Sequence, residues 1–448
     1  MDSERCAALH NAIFEHGWIS SGRAADAFTT QSRPWLELNP QAAQNAGFHP
    51  LVLAFLRKAR ALPPNHPVHF FYYFWGLHCE LGGHEYCFPE SDRTLTLHGT
   101  HPEHATQPDG LVYDQETHKA ILPLDIADEL EADQPWQKLE SILIVWIEMI
   151  QRQKIVALPD AVGKTSYEGI AGGGVRRIEG PERDPVTGAK RFDHQAEPWT
   201  IVPWAPQDLE ECLELWAMVV DAMEEKMGIS EVEQIQHDGI LDQGTLDAAR
   251  VPDGFARRFL SQARRPRFET VAPGLIVPIA EDFTVQAFIG TSCDLEDEDQ
   301  LPAILLFRNR ATVSTSGLTM FMSHPHATSA ECPSGLYLTP CDRSYRYPQE
   351  DGCSLILPFK FESGWARKSD FSRADQHDSL LQAGVNPYDD IHHVQLQAFL
   401  ETVYRNIQSG HWTVDAHGIA GGLDVWRNAD AEQHWARYGV PIGPGKYW

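Results

Sequence analysis

Strand signals in this chain concentrate in one block, and that block constrains the fold more than any other feature. Between residues 271 and 361 run five short apolar segments, FTVQAFIG, AILLFRN, GLTMFM, GLYL and CSLILPFKF, split by Pro, Gly and acidic turns. Such segments read as strands. The chain on either side, 1–270 and 386–448, is mainly helical in pattern. A strand block set between helical blocks, without regular βαβ alternation, predicts a mixed α+β fold and argues against a doubly wound one. No internal repeat is visible, so the expectation is one large domain over 1–448 with a central, mainly antiparallel sheet surrounded by helices.

Helical spacing is strongest in three places. Residues 136–155 carry Leu139, Ile142, Leu143, Trp146 and Ile150 on one side, with Glu140 and Glu148 off that stripe. Residues 206–227 carry Leu209, Cys212, Leu213, Trp216, Val219, Val220 and Met223, with Gly228 as the stop. In 389–407 the face is His392, Leu396, Phe399, Leu400, Val403 and Ile407, with Asp389 and Asp390 at the start. Stripes of this kind bury one side of a helix. Two more helices are expected near the N-terminus, one capped by Ser3 with Ala7, Leu9 and Ile13 inward, and one over 50–62 ending at Pro63-Pro64. The aromatic run VHFFYYFWGLHCELGGHEYCF over 68–88 reads as a buried strand. Trp426, Trp435 and Tyr438 near the end of the chain are expected to dock on the body.

A formal charge of −27 repels polyanions at long range and argues against general nucleic-acid binding. The apolar segments are interrupted by charge, which argues against a membrane span. MDSERCAALH lacks an apolar signal region. Eight scattered cysteines (6, 79, 87, 212, 293, 332, 341, 353) form no disulfide framework. Reduced thiols in a cytoplasmic protein are therefore expected.

Several groups of residues could carry chemistry. Asp389 and Asp390, with His392 and His393, crowd one expected helix turn. They suit a divalent metal or a substrate cation, or else Asp389 is simply an N-cap in the favourable field of the helix dipole. His78, Cys79, His84 and Cys87 are zinc-type donors, followed by His98, His101 and His104, but their spacing is not that of paired zinc ligands. Buried cysteines and loop histidines are the plainer reading. Asp125, Asp128 and Glu129, with Glu131 and Asp133, form a solvated acidic face or a receptor for a guanidinium or ammonium group. Glu140 joins them as a candidate for substrate binding. Gly172-Gly173-Gly174 before Arg176-Arg177 matches no phosphate-loop pattern and reads as a hinge or turn. Arg250, Arg257, Arg258, Arg264, Arg265 and Arg267 stand together in a very acidic chain. They either meet a phosphate-bearing partner or pair with surrounding carboxylates.

Five phrases together resemble a fungal family, the arginine-containing cyclodipeptide synthases. These are KLESILIVWIEMIQ, FLSQARRPRF followed by APGL, GWARKSD, NPYDDIHHVQLQAFLETV and HWTVDAHGIAGG, spread over roughly 135–430. The resemblance implies a transfer-RNA-dependent aminoacyltransferase of secondary metabolism. Such an enzyme takes an arginyl group and a second aminoacyl group from charged tRNAs and closes them into a diketopiperazine. It also implies a DDxxE motif that binds magnesium (Mg2+). Asp389 and Asp390 supply the acidic pair, while His393 stands where the motif has Glu. On this reading Asp389, Asp390, His392 and His393 are catalytic, with Asp389 and Asp390 as metal ligands. Arg257, Arg258, Arg264, Arg265 and Arg267 hold RNA phosphates, and Asp125, Asp128, Glu129 and Glu140 receive the substrate. Two other readings stay open: a metal-dependent enzyme of small-molecule biosynthesis, and a non-catalytic binding protein.

Overall fold

Asp2 starts the first helix. Its carboxylate accepts the Arg5 N–H at 3.0 Å, so the N-cap is Asp2 and not Ser3, and α1 runs Ser3–Ser20. The inward stripe of α1 is Cys6, His10, Ile13, Phe14 and Trp18, which places a thiol and an imidazole where apolar side chains are usual. The computed structural model describes residues 1–41, 47–63, 74–77, 81, 93–100, 110–121, 136–157, 199–201, 204–229, 239–284, 286, 302–316, 318, 330–339, 351–368, 373–381 and 394–440. The chain forms a mixed α+β structure with a large, mainly antiparallel sheet. Its internal contacts gather into two compact units, the first mostly Met1–Val202 and the second mostly Pro203–Trp448.

In unit 1, α1 is followed by α2 (Ala25–Gln31), β1 (Arg33–Pro34), α3 (Trp35–Leu38), α4 (Pro50–Leu56) and β2 (Arg60–Ala61). Helix α4 stops short of residue 62 because Arg60 and Ala61 leave it to pair with β1. Strands β3 (Phe74–Leu77), β4 (Thr94–Thr100), β5 (Leu111–Asp114) and β6 (Lys119–Ile121) form a four-stranded antiparallel sheet in that order. Strand β3 is the described part of the expected aromatic strand. Next come α5 (Leu139–Gln151) and the antiparallel pair β7 (Ile155–Ala157) and β8 (Trp199–Ile201). Leu139, Ile142, Leu143 and Trp146 of α5 are buried as the stripe requires.

Unit 2 begins with α6 (Pro206–Lys226), whose buried face follows the expected stripe and which gives way to Gly228 at φ +70°. Then follow α7 (Gln243–Ala248), α8 (Phe255–Gln262), β9 (Thr270–Ala272), β10 (Leu275–Ile276), α9 (Ala280–Phe283), β11 (Ile304–Ser314), β12 (Glu331–Thr339), β13 (Gly352–Ile356), α10 (Leu396–Gln408), β14 (Val414–Asp415) and β15 (Gly418–Ile419). The seven-stranded sheet has the order β13-β12-β11-β10-β9-β15-β14. Its pairings are antiparallel except for β15 against β9. The central strands alternate with period two. Ile304, Leu306, Leu336, Leu338, Cys353 and Leu355 join the main core with α6 and α10, while Leu305, Tyr337 and Ile356 join a smaller cluster. The Trp216 ring of α6 stacks on Phe307 at 5.6 Å, and its indole N–H donates to the Arg264 carbonyl at 2.7 Å. Strand β11 carries extra residues on either side of its Phe307 and Arg308 pairings, and Gly335 of β12 lies against this bulge. Its φ is +146°, and a Cβ there would lie 2.3 Å from the Phe307 carbonyl oxygen.

Two further expectations are corrected. FTVQAFIG does not start as a strand, because Phe283 is the last residue of α9. Helix α10 begins at Leu396 with Gln395 as its N-cap, so Asp389 does not cap it. The reason is local: Val394 is held extended in an antiparallel bridge to Cys353, whose N–H donates to the Val394 carbonyl at 2.7 Å. Trp426 and Tyr438 do dock on the body. Both are buried, and the Trp426 N–H donates to the Pro273 carbonyl at 2.9 Å.

Candidate functional site

The sequence VPDGF breaks the chain before α8, and Gly254 takes φ +156°, a conformation that favours glycine. A Cβ on Gly254 would meet nothing within 4 Å. Gly254 also lines an open pocket in unit 2. Pro252, Asp253, Gly254, Phe255 and Ala256 form one wall, Ile304, Leu338 and Thr339 another. Asp351, Gly352, Gln395 and Leu396 close it where β13 and α10 begin, and Trp204 also lines it.

Most of this lining is apolar, so the polar groups in it are informative. Thr339 is 5% exposed, and its buried hydroxyl oxygen has no hydrogen-bond partner among the described residues. An unmet buried hydroxyl costs about 1–3 kcal/mol unless a bound molecule meets it. Asp253 stands 3.6 Å from the Arg258 guanidinium, which lies over the Trp204 ring at 5.3 Å from its centroid. The ring edge of Trp204 meets Phe255 at 6.1 Å. An aromatic face, carboxylates and a buried hydroxyl around an apolar cleft suit an amphipathic ligand with a positive head.

None of these lining residues was among the sequence candidates. The expected sites are placed as follows. Asp389, Asp390, His392 and His393 lie outside the described residues, as do Asp125, Asp128, Glu129, His78, Cys79, His84 and Cys87. Glu140 sits in the first turn of α5, where its carboxylate accepts the Asp2 backbone N–H and pairs with the Cys6 thiol. Among the described residues no group of three or more His, Cys, Asp or Glu is arranged to hold a metal. No helix among them is long and apolar enough to cross a membrane.

The arginine cluster is engaged within unit 2. Arg257 bonds Asp247, Gln243 Oε1 and the Val251 carbonyl. Arg264 pairs with Asp221 at 2.8 Å and with Glu224 at 3.4 Å. Arg265 donates twice to the Ile240 carbonyl. Arg267 pairs with Glu224 at 2.8 Å, and its backbone N–H donates to the same carboxylate. Partial burial raises the Glu224 pKa, but these donors outweigh it and hold the group below its ordinary value.

Unit 1 holds a second polar group that sequence reasoning missed. His98, expected on a loop, lies buried in β4, and its Nε2 is 3.1 Å from Nδ1 of His10. His10 Nε2 lies 2.8 Å from the Arg60 carbonyl, which can only accept. His10 therefore carries its proton on Nε2, leaving Nδ1 bare to accept from His98 Nε2–H. His10 is thereby neutral, and burial favours the neutral ring of His98 as well. Burial lowers the His10 pKa to about 4, partly opposed by the Arg60 carbonyl, and burial beside His10 lowers that of His98.

No family model, no curated protein and no solved structure matches this chain.

Proposed function

We propose that this protein acts on an amino-acid-derived small molecule held in the unit 2 pocket. The reaction we propose is the one the family resemblance implies: an arginyl group and a second aminoacyl group, delivered on charged tRNAs, joined into a diketopiperazine. The observation that supports a ligand in this pocket is the Thr339 hydroxyl, without a hydrogen-bond partner among the described residues, in an apolar lining that also includes Asp253 and Asp351. Aminoacyl esters are already activated, so positioning does much of the work. The α-amine of one residue attacks the ester carbonyl of the other, and the tRNA hydroxyl leaves. A second attack with the roles exchanged closes the ring and releases the second tRNA. Each attack needs the amine to lose a proton, a task suited to a histidine such as His392 or His393. The resemblance assigns magnesium binding to Asp389 and Asp390, independently of the pocket.

Production in a heterologous host and extraction of the culture tests this. An arginine-containing diketopiperazine, absent from the empty-vector control, is the expected product. A folded, abundant protein without that product would refute the transfer reaction. One observation favours a second reading, a small-molecule binding protein that uses no RNA: the five arginines are already engaged within the unit. Retention of arginyl-tRNA at low salt, weakened by charge reversal at Arg264 and Arg265, distinguishes the two readings.

A further inference from the structure

Arg257 and Arg258 are neighbours in the first turn of α8 and are held very differently. Arg257 is tied to an aspartate, a glutamine and a backbone carbonyl, and its side chain is 20% exposed. Arg258 is 42% exposed and is held by the Trp204 face at 5.3 Å and by Asp253 at 3.6 Å. A guanidinium in the first turn of a helix is also opposed by the helix dipole. Trp204 and Asp253 both line the pocket. An aromatic face beside a carboxylate is what any guanidinium or ammonium group would seek there.

We infer that Trp204 and Asp253 form a cation subsite of this pocket and that Arg258 is its internal occupant, exchanged for the positive head of a small organic monocation with an apolar stem. This rests on the reading of the pocket as a ligand site. The ligand's stem would lie along Phe255, Ile304 and Leu338, and its head would take the place of the Arg258 guanidinium. Arg258 then swings into water, where a hydrated cation costs little. Arg258 thus acts as a competitor within the chain. If it fills the subsite about nine-tenths of the time, ligand affinity is reduced about tenfold.

Calorimetric titration of n-butylguanidinium and its neutral isostere n-butylurea into the full-length protein tests this. Arg258→Gln should bind n-butylguanidinium about tenfold more tightly than wild type, with less than a twofold change for n-butylurea. Asp253→Asn in the Arg258→Gln background should remove that gain. The inference is overturned if Arg258→Gln leaves n-butylguanidinium affinity unchanged or weaker, if both probes gain equally, or if neither binds. Its failure is separable from that of the transfer reaction. Tighter binding by Arg258→Gln without a diketopiperazine in the culture sinks only the reaction; the product without the gain sinks only the subsite.

Discussion

Lowering the pH from 7 to 5 should weaken unit 1 through His10 and His98. Both rings are neutral in the folded state: the Arg60 carbonyl and the ring–ring hydrogen bond leave His10 one proton, and burial disfavours a charged His98. In the unfolded chain each titrates near the ordinary value of 6.5. The unfolded state therefore binds more protons below pH 6.5, so the pair's stabilising effect is present above that pH and is lost as pH falls toward 4. At pH 5 each unfolded histidine gains about 2 kcal/mol from protonation, so the pair costs about 4 kcal/mol, against about 0.3 at pH 7. For a unit of roughly 200 residues that lowers Tm by on the order of 10 °C. The comparison is wild type against His10→Gln/His98→Gln, by urea unfolding at both pH values. The double variant should be less stable at pH 7 yet lose about 4 kcal/mol less on acidification. Equal losses in the two proteins would refute the reasoning.

Two further outcomes follow from the packing of unit 2. Asp430 accepts backbone N–H bonds from Ser363, Trp365 and Ala366, which outweigh partial burial and lower its pKa. Asp430→Asn should cost about 2 kcal/mol in urea unfolding at pH 7, since an amide cannot accept at both positions. Gly335→Ala would put a methyl group 2.3 Å from the Phe307 carbonyl, at a φ that alanine avoids. A loss of about 3 kcal/mol is expected, read as a lower Tm, and an unchanged Tm would mean the bulge relaxes freely.

What the sequence revealed and concealed follows from how local each determinant is. Helices α5 and α6 were legible because their stripes repeat within one element and meet a core wherever it lies. The α10 stripe was legible too, but its start was misplaced: an apolar period does not mark where the backbone turns extended. That choice is made by Cys353, distant in sequence, which holds Val394 in a bridge. The pocket was hidden for the same reason. Trp204, Gly254, Thr339, Asp351 and Gln395 come from separate parts of the chain, and only the Pro252-Asp253-Gly254 turn marks the place. His98 was read with the neighbouring histidines as a loop residue. Its burial depends on His10, which faces it from α1.

The parallel contact of β15 with β9 also governs how the protein is made. The Thr270 hydroxyl donates to the Ile419 carbonyl, 149 positions later. At ordinary elongation rates of about 5–20 residues per second, that interval lasts roughly 7–30 s. Throughout it, one side of β9 has no strand to pair with, and an unpaired edge is a template for association with other chains. The nascent protein is therefore open to association through this edge until Gly418–Ile419 has been made and paired. Slower elongation would lengthen that window, and a chaperone that shields strand edges would matter most for chains that have not yet reached Gly418–Ile419.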